Sequence, residues 1–137
     1  MVETIGVGTD GSATAGRAVA EAARLAAALG ADLHVVSAYE PTAIVAGEFF
    51  VAPADDPTAE VLAAASAALA DTGVPVRTHA VQGPPADAIV EVARSVGATM
   101  IVVGNQGMHG VRSVLGSVPN SVSHVARCSV LIVATGS

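Results

Sequence analysis

Two glycine-bearing segments hold the residue types that bind phosphate without a lysine. The first is Gly104-Asn105-Gln106-Gly107, followed after eight residues by Gly116-Ser117-Val118. It opens where the apolar run Thr99 to Val103 ends and closes on a helix-like segment with Pro119 in its first turn. Glycines let a backbone approach a ligand closely and take positive φ. A helix start adds unpaired N–H groups at the positive end of its dipole. Together these read as an anion site, with the Ser117 hydroxyl as a further donor and Arg112 as a phosphate partner within the loop. A plainer reading has Gly104 end a strand and Ser117 cap a helix. The constellation on one loop favours phosphate.

The second segment is Gly8-Thr9-Asp10-Gly11-Ser12, at the end of the opening strand-like run. Asp10 has a structural role open to it, as a turn or capping carboxylate. Its functional role would be to accept hydrogen bonds from ribose hydroxyls, or to help hold an ion such as Mg2+ on the phosphates. In open α/β sheets ligands bind at strand carboxyl ends where the strand order reverses. If strands one and four are neighbours, Asp10 and the Gly104 loop face one crevice. The same stretch also fits the dinucleotide pattern G-x-G-x-x-G at Gly6, Gly8 and Gly11, but its context is poor. Only five residues precede Gly6. The acid that belongs about 20 residues further on, at the end of strand two, is also missing: Asp32 precedes the strand and Glu40 comes too late.

Other polar residues offer less. His34, His79, His109 and His124 show no metal-ligand spacing with one another or with Cys128. His109 and His124 read as solvated or capping side chains. Ser113, Ser117, Ser121 and Ser123 lie near His124, yet no nucleophile elbow surrounds them. Asp55-Asp56 and Glu60 read as acids at a helix N-terminus. No catalytic residue is nominated.

The elements that must position these segments alternate. Val2 to Gly8 reads as a strand, and Ser12 as the N-cap of an Ala-rich helix stopped by Gly30. Leu33 to Tyr39 is a second strand, and its adjacent Val35 and Val36 suit a strand covered on both faces. Glu40 to Asp56, with Pro41, Gly47 and Pro53, reads as a long loop of the kind that serves as a lid or partner surface. A helix from Pro57 stops at Gly73. Val74 to Val81 is a third strand, more exposed by its alternation. Pro84-Pro85 opens a helix that Gly97 stops. Thr99 to Val103 is an apolar and therefore central fourth strand. A short helix from Val118 to Ala126 and a strand from Ser129 to Ala134 follow. This alternation predicts a parallel sheet, helices on both faces and right-handed crossovers, in one domain over residues 1–137.

Composition removes several classes of function. The hydrophobic fraction of 52% excludes disorder, and no apolar block reaches the roughly 18 residues of a membrane span. The net charge is -6, with six Arg scattered along the chain and no Lys. A nucleic-acid partner needs a concentrated basic face, so none is expected. The missing Lys also removes the P-loop. A lone Cys128 and no visible secretory signal point to the cytoplasm.

The opening strand with Gly8-Thr9-Asp10-Gly11-Ser12 resembles the start of universal stress protein domains. Val102-Val103-Gly104-Asn105-Gln106-Gly107-Met108 and Leu115-Gly116-Ser117-Val118 resemble that family's ATP-binding loop. Cys128-Ser129-Val130-Leu131-Ile132-Val133 resembles its last strand. The resemblance covers nearly the whole chain. It implies five parallel strands in order 3-2-1-4-5, homodimers, and an adenine nucleotide between strands one and four. By match to the motifs, Asp10 is the ribose-side acid and Val36 the strand-two residue beside the adenine. Gly104, Gly107, Gly116, Ser117 and Val118 form the phosphate loop, flanked by Val103 and Met108, with Gly8 and Thr9 at the end of strand one. The family pattern has nine residues between its second and third glycines, where this chain has eight.

The expected protein is therefore a cytoplasmic ligand-binding regulatory module of stress responses. ATP or another adenine nucleotide is its ligand, and a second copy is its partner through the edge strand Val130 to Val133. A slow ATPase or phosphoryl-transfer enzyme is the rival, and a structural dimer with a vestigial site is the third reading.

Overall fold

A computed structural model describes residues 3–40, 43–45, 48–50, 58–105 and 116–135. Strand β1 (Thr4–Gly8) leads through helix α1 (Ala13–Leu29) to β2 (Asp32–Tyr39). Two short strands, β3 (Ala43–Val45) and β4 (Glu48–Phe50), precede α2 (Thr58–Leu69), which tightens into a single 3-10 turn at Ala70–Thr72. Then come β5 (Val76–Gln82), α3 (Pro85–Val96), β6 (Met100–Gly104), α4 (Ser117–Val125) and β7 (Ser129–Val133).

The main sheet has five strands in order β5-β2-β1-β6-β7, all parallel. With β3 and β4 set aside this is the expected 3-2-1-4-5. Period-two alternation divides the apolar side chains between two cores. Ile5, Val7, Leu33, Val35 and Val102 pack on one face beneath α1 and α2. Val36, Ile101 and Val103 pack on the other face with Ala88, Ile89 and Val92 of α3 and Val122 of α4. Ala18, Val19, Ala22, Ala23 and Ala26 form the buried stripe of α1, so mostly methyl groups, with the one isopropyl of Val19, lie between that helix and the sheet. Its ends follow local chemistry: Ser12 Oγ accepts from the Ala15 amide at 3.1 Å, and Gly30 closes the helix at φ 65°.

One expectation needs correction. The stretch from Glu40 to Asp56 contains an antiparallel pair, with Ala43 opposite Phe50 and Val45 opposite Glu48, where an unstructured loop was expected. Ala43-Ile44-Val45 and Glu48-Phe49-Phe50 are rich in β-branched and aromatic residues and stand two residues apart, which is hairpin spacing. Pro41 and Pro53 sit outside both runs and mask that signal.

The sheet also makes a pair that sequence spacing hides. His34 on β2 and His79 on edge strand β5 are 45 residues apart, yet His34 Nδ1 lies 2.8 Å from His79 Nε2. One ring must donate and the other accept, so the bond needs at least one neutral imidazole. Burial holds both rings below the ordinary value near 6.5; His79 adds to this at His34, Asp32 opposes it there, and Arg77 depresses both. The unfolded chain therefore takes up protons at these histidines first. Their contribution to stability is complete above about pH 6.5 and is lost as the pH falls below it. Urea unfolding at pH 7.5, 6.5 and 5.5 should show little change between the first two and a clear loss at pH 5.5 for the wild type, and a flatter profile for His79→Leu. Equal slopes would remove the pair from this account.

Candidate functional site

Strand β1 is the point where the strand order reverses. Its connection through α1 runs to β2 on one side, and β6 flanks it on the other. Beyond its carboxyl end lies a cleft of about 170 Å³. Gly8, Thr9 and Asp10 line it from β1, Val36 and Ala38 from β2, and Val103 and Gly104 from β6. Ser12, Thr14 and Ala15 of the α1 start form one wall, and Gly116, Ser117, Val118 and Pro119 of the α4 start form another. Pro85 and Ile89 of α3 complete it.

Local hydrogen bonds hold the first segment. The Thr9 amide donates to Val36 O at 2.9 Å and carries the β1–β2 ladder one residue further. Thr9 Oγ1 accepts from the Gly11 amide at 3.1 Å, and Asp10 Oδ1 accepts from the Ser12 amide at 2.9 Å. Gly11 takes φ 83° in this turn. Asp10 thus has the turn role, and its exposed carboxylate also borders the cleft.

The second segment differs in detail from its plainer reading. Gly116, not Ser117, is the N-cap of α4, with φ -61° and ψ 163°, and no side chain caps it. Ser117 is the first helical residue, and Pro119 brings no N–H. The first-turn amides of Ser117 and Val118 therefore have no acceptor within the helix, and they stand beside the cleft. Asp10 is the one ionisable side chain among the described lining residues. Any anion held there by these residues is held by backbone dipoles and hydroxyls rather than by cations.

Gly107, Met108, Arg112 and His109 lie outside the described residues, as do Asp55 and Asp56. Glu60 sits in the first turn of α2, away from the cleft lining. His124 Nδ1 is 2.7 Å from Asn120 O, and Ser123 Oγ donates to the same carbonyl at 2.8 Å. Both groups are turned to their own helix. Among the described residues no group of three or more His, Cys, Asp or Glu could hold a metal. No helix among them is long and apolar enough to cross a membrane.

Several lining residues escaped the sequence reading. Ala38 follows Val36 by two, so strand alternation alone would have placed it on the same face. Pro85 and Ile89 stand one helical turn apart at the start of α3, the spacing of one helix face. Ser12, Thr14 and Ala15 follow from α1 starting at the carboxyl end of β1.

The comparison with known proteins agrees with this geometry. Residues 1–134 match the model of the universal stress protein family. The chain belongs to that family. It is 43% identical to a universal stress protein of Thermus aquaticus over 97% of this chain and 99% of that one. A Mycobacterium tuberculosis universal stress protein is 37% identical over 97% of each. Among solved structures, a universal stress protein in complex with cAMP superposes with a TM-score of 0.79, at 36% identity and 98% coverage of both chains. The Archaeoglobus fulgidus universal stress protein in complex with dAMP gives 0.74, at 28% identity over 96% of this chain and 98% of that one.

The floor of the cleft sets a requirement on Gly8. A Cβ there would meet the Ile89 side chain, with Cγ1 only 2.9 Å away. Gly8→Ala should cost about 1–3 kcal/mol, as overpacking does, and Gly8→Ala/Ile89→Val should recover part of that loss. Urea unfolding of the three proteins checks it. A double variant no more stable than Gly8→Ala would place the strain elsewhere.

Proposed function

We propose that this protein is an adenine-nucleotide-binding regulatory module. The observation that carries the proposal is the cleft at the switch point. It pairs an apolar side, made of Val36, Ala38, Ile89 and Val103, with the open starts of α1 and α4. Adenine is assigned to the apolar side, ribose to Asp10, and phosphate to Gly104, Gly116, Ser117 and Val118, with Gly107 and Met108 on the same loop. Bound cAMP and dAMP in two solved members of the family support this assignment.

The charge of the described lining distinguishes among the nucleotides. Asp10 repels each phosphate added beyond the one that meets the α4 start, and no described lining residue is cationic. ATP is therefore proposed to bind with Mg2+, carried on its phosphates near Asp10, while AMP and cAMP bind without it. Saturation at 100 times the dissociation constant adds about 2.7 kcal/mol of stability, or roughly 8–13 °C in melting temperature for a domain of this size. Thermal unfolding should show that gain for AMP and cAMP with or without chelator, and for ATP only with magnesium. Asp10→Asn should cut the ATP–magnesium gain more than the AMP gain. A melting temperature unmoved by every adenine nucleotide would sink the reading and leave a structural role for the dimer.

The partner proposed for the sheet is a second copy. β7 lies at the edge of the sheet, and Val130, Leu131, Ile132 and Val133 are only half-buried. An apolar edge strand of this kind pairs readily with another chain, and a two-fold axis brings two such edges together. Light scattering at micromolar concentration should read twice the chain mass; a monomer would argue against β7 as the interface. A role in cytoplasmic stress responses completes the proposal.

A further inference from the structure

Strands β6 and β7 run in parallel with Gly104 opposite Val133, so the residues just beyond them emerge side by side. Asn105 uses this position fully. Its amide donates to Val133 O at 2.8 Å, adding one rung to the ladder. Its side-chain Oδ1 accepts twice from Thr135, from the amide at 3.0 Å and from the hydroxyl at 3.1 Å. An amide oxygen has two lone pairs, and Thr135 fills both. Finally, Asn105 O accepts from the Gly116 amide at 3.0 Å, which pins the N-cap of α4 to the end of β6.

Thr135 extends the chain of bonds in the other direction. It is 1% exposed, and its carbonyl accepts from the Arg17 guanidinium of α1. One connected path thus runs from α1 through Arg17, Thr135, Asn105 and Gly116 to α4. These helices lie on opposite faces of the sheet, and their first turns are two walls of the cleft. Arg17 lies one short turn beyond Thr14 and Ala15, which line it. Nothing else in the described structure joins the two walls by side-chain bonds around the end of β6.

We propose that Asn105 and Thr135 form a clasp that fixes the α4 start relative to the α1 start. Asn105 is a positioning residue for the cleft: it holds Gly116 in place instead of meeting the ligand. Residue 135 thereby tunes a site whose described lining lies elsewhere in sequence, within residues 8–15, 103–104 and 116–119 and at Val36, Ala38, Pro85 and Ile89. For the ligand, this rests on the nucleotide reading above; for the geometry, it stands alone.

Two measurements on one set of variants test the clasp. Thr135→Val keeps the volume and removes the hydroxyl. Asn105→Ala removes the acceptor, and Asn105→Asp restores it. In ligand-free protein, hydrogen exchange at the Gly116 amide should accelerate about tenfold in Asn105→Ala and several-fold in Thr135→Val, with β2 amides unchanged and Asn105→Asp close to wild type. In calorimetric titration the Kd for AMP should rise about 3- to 10-fold in Asn105→Ala, the equivalent of one net hydrogen bond. Asn105→Ala/Thr135→Val should bind no worse than Asn105→Ala, because both changes break the same link. Unchanged Gly116 exchange in Thr135→Val overturns the clasp whether or not AMP binds, and so do effects on the Kd that simply add. Failure of the wild type to bind AMP removes the nucleotide reading, and the exchange data then decide the clasp alone.

Discussion

A central strand paired in parallel on both edges cannot be reached by short turns on either side. Each connection must cross the sheet with a helix, and right-handed crossovers on the two sides of the strand place those helices on opposite faces. Strand β1 is in this position between β2 and β6. Helix α1 leaves its carboxyl end on one face, α4 follows the end of neighbouring β6 on the other, and the gap between them is the cleft. Gly8 sits at the bottom of that gap, where an added Cβ would press on the Ile89 side chain and force it to shift. The turn at Asp10 sits at its rim, where Ser12 must cap α1 directly after β1 ends. The site is thus a consequence of topology before it is a consequence of particular side chains.

That origin explains how the site treats charge. Helix starts direct backbone N–H groups and a positive potential into the gap. A protein without a single Lys can face an anion there, and its net charge of -6 leaves little reserve of cations to recruit. Attraction of this kind acts over the first turn of a helix, so under the proposed nucleotide role affinity would depend on how well the starts of α1 and α4 are placed. Among the described lining residues no side chain is cationic, so precise placement of these helix starts stands in for one.

The main sheet was legible because its signals are local. Ser12 and Gly30 mark the ends of α1, Gly97 marks the end of α3, and the apolar run at β6 announced a central strand; each depends on residues within one or two turns. The cleft was legible in outline for the same reason, since glycines and helix starts follow strands β1 and β6 directly. What stayed hidden depends on register between distant segments. His34 and His79 meet only because β2 and β5 pair with Val36 opposite His79. Asn105 and Thr135, 30 residues apart, each look like ordinary loop residues until β6 and β7 align. The β3–β4 pair was obscured for a different reason: prolines on either side outweighed two short β-favouring runs.

The lining of the cleft has one further property. Gly8, Ala15, Ala38, Gly104 and Gly116 all border it, and none has a side-chain torsion that places a heavy atom. Pro85 and Pro119 are ring-locked. A ligand arriving against such a surface freezes few rotamers, so little of its binding energy is spent on side-chain entropy. The same surface has few ways to adapt its shape. Discrimination between one small molecule and another then rests on the Asp10 carboxylate, the branched side chains of Val36, Ile89, Val103 and Val118, and the few hydroxyls, while the glycines, alanines and prolines between them act as a fixed mould.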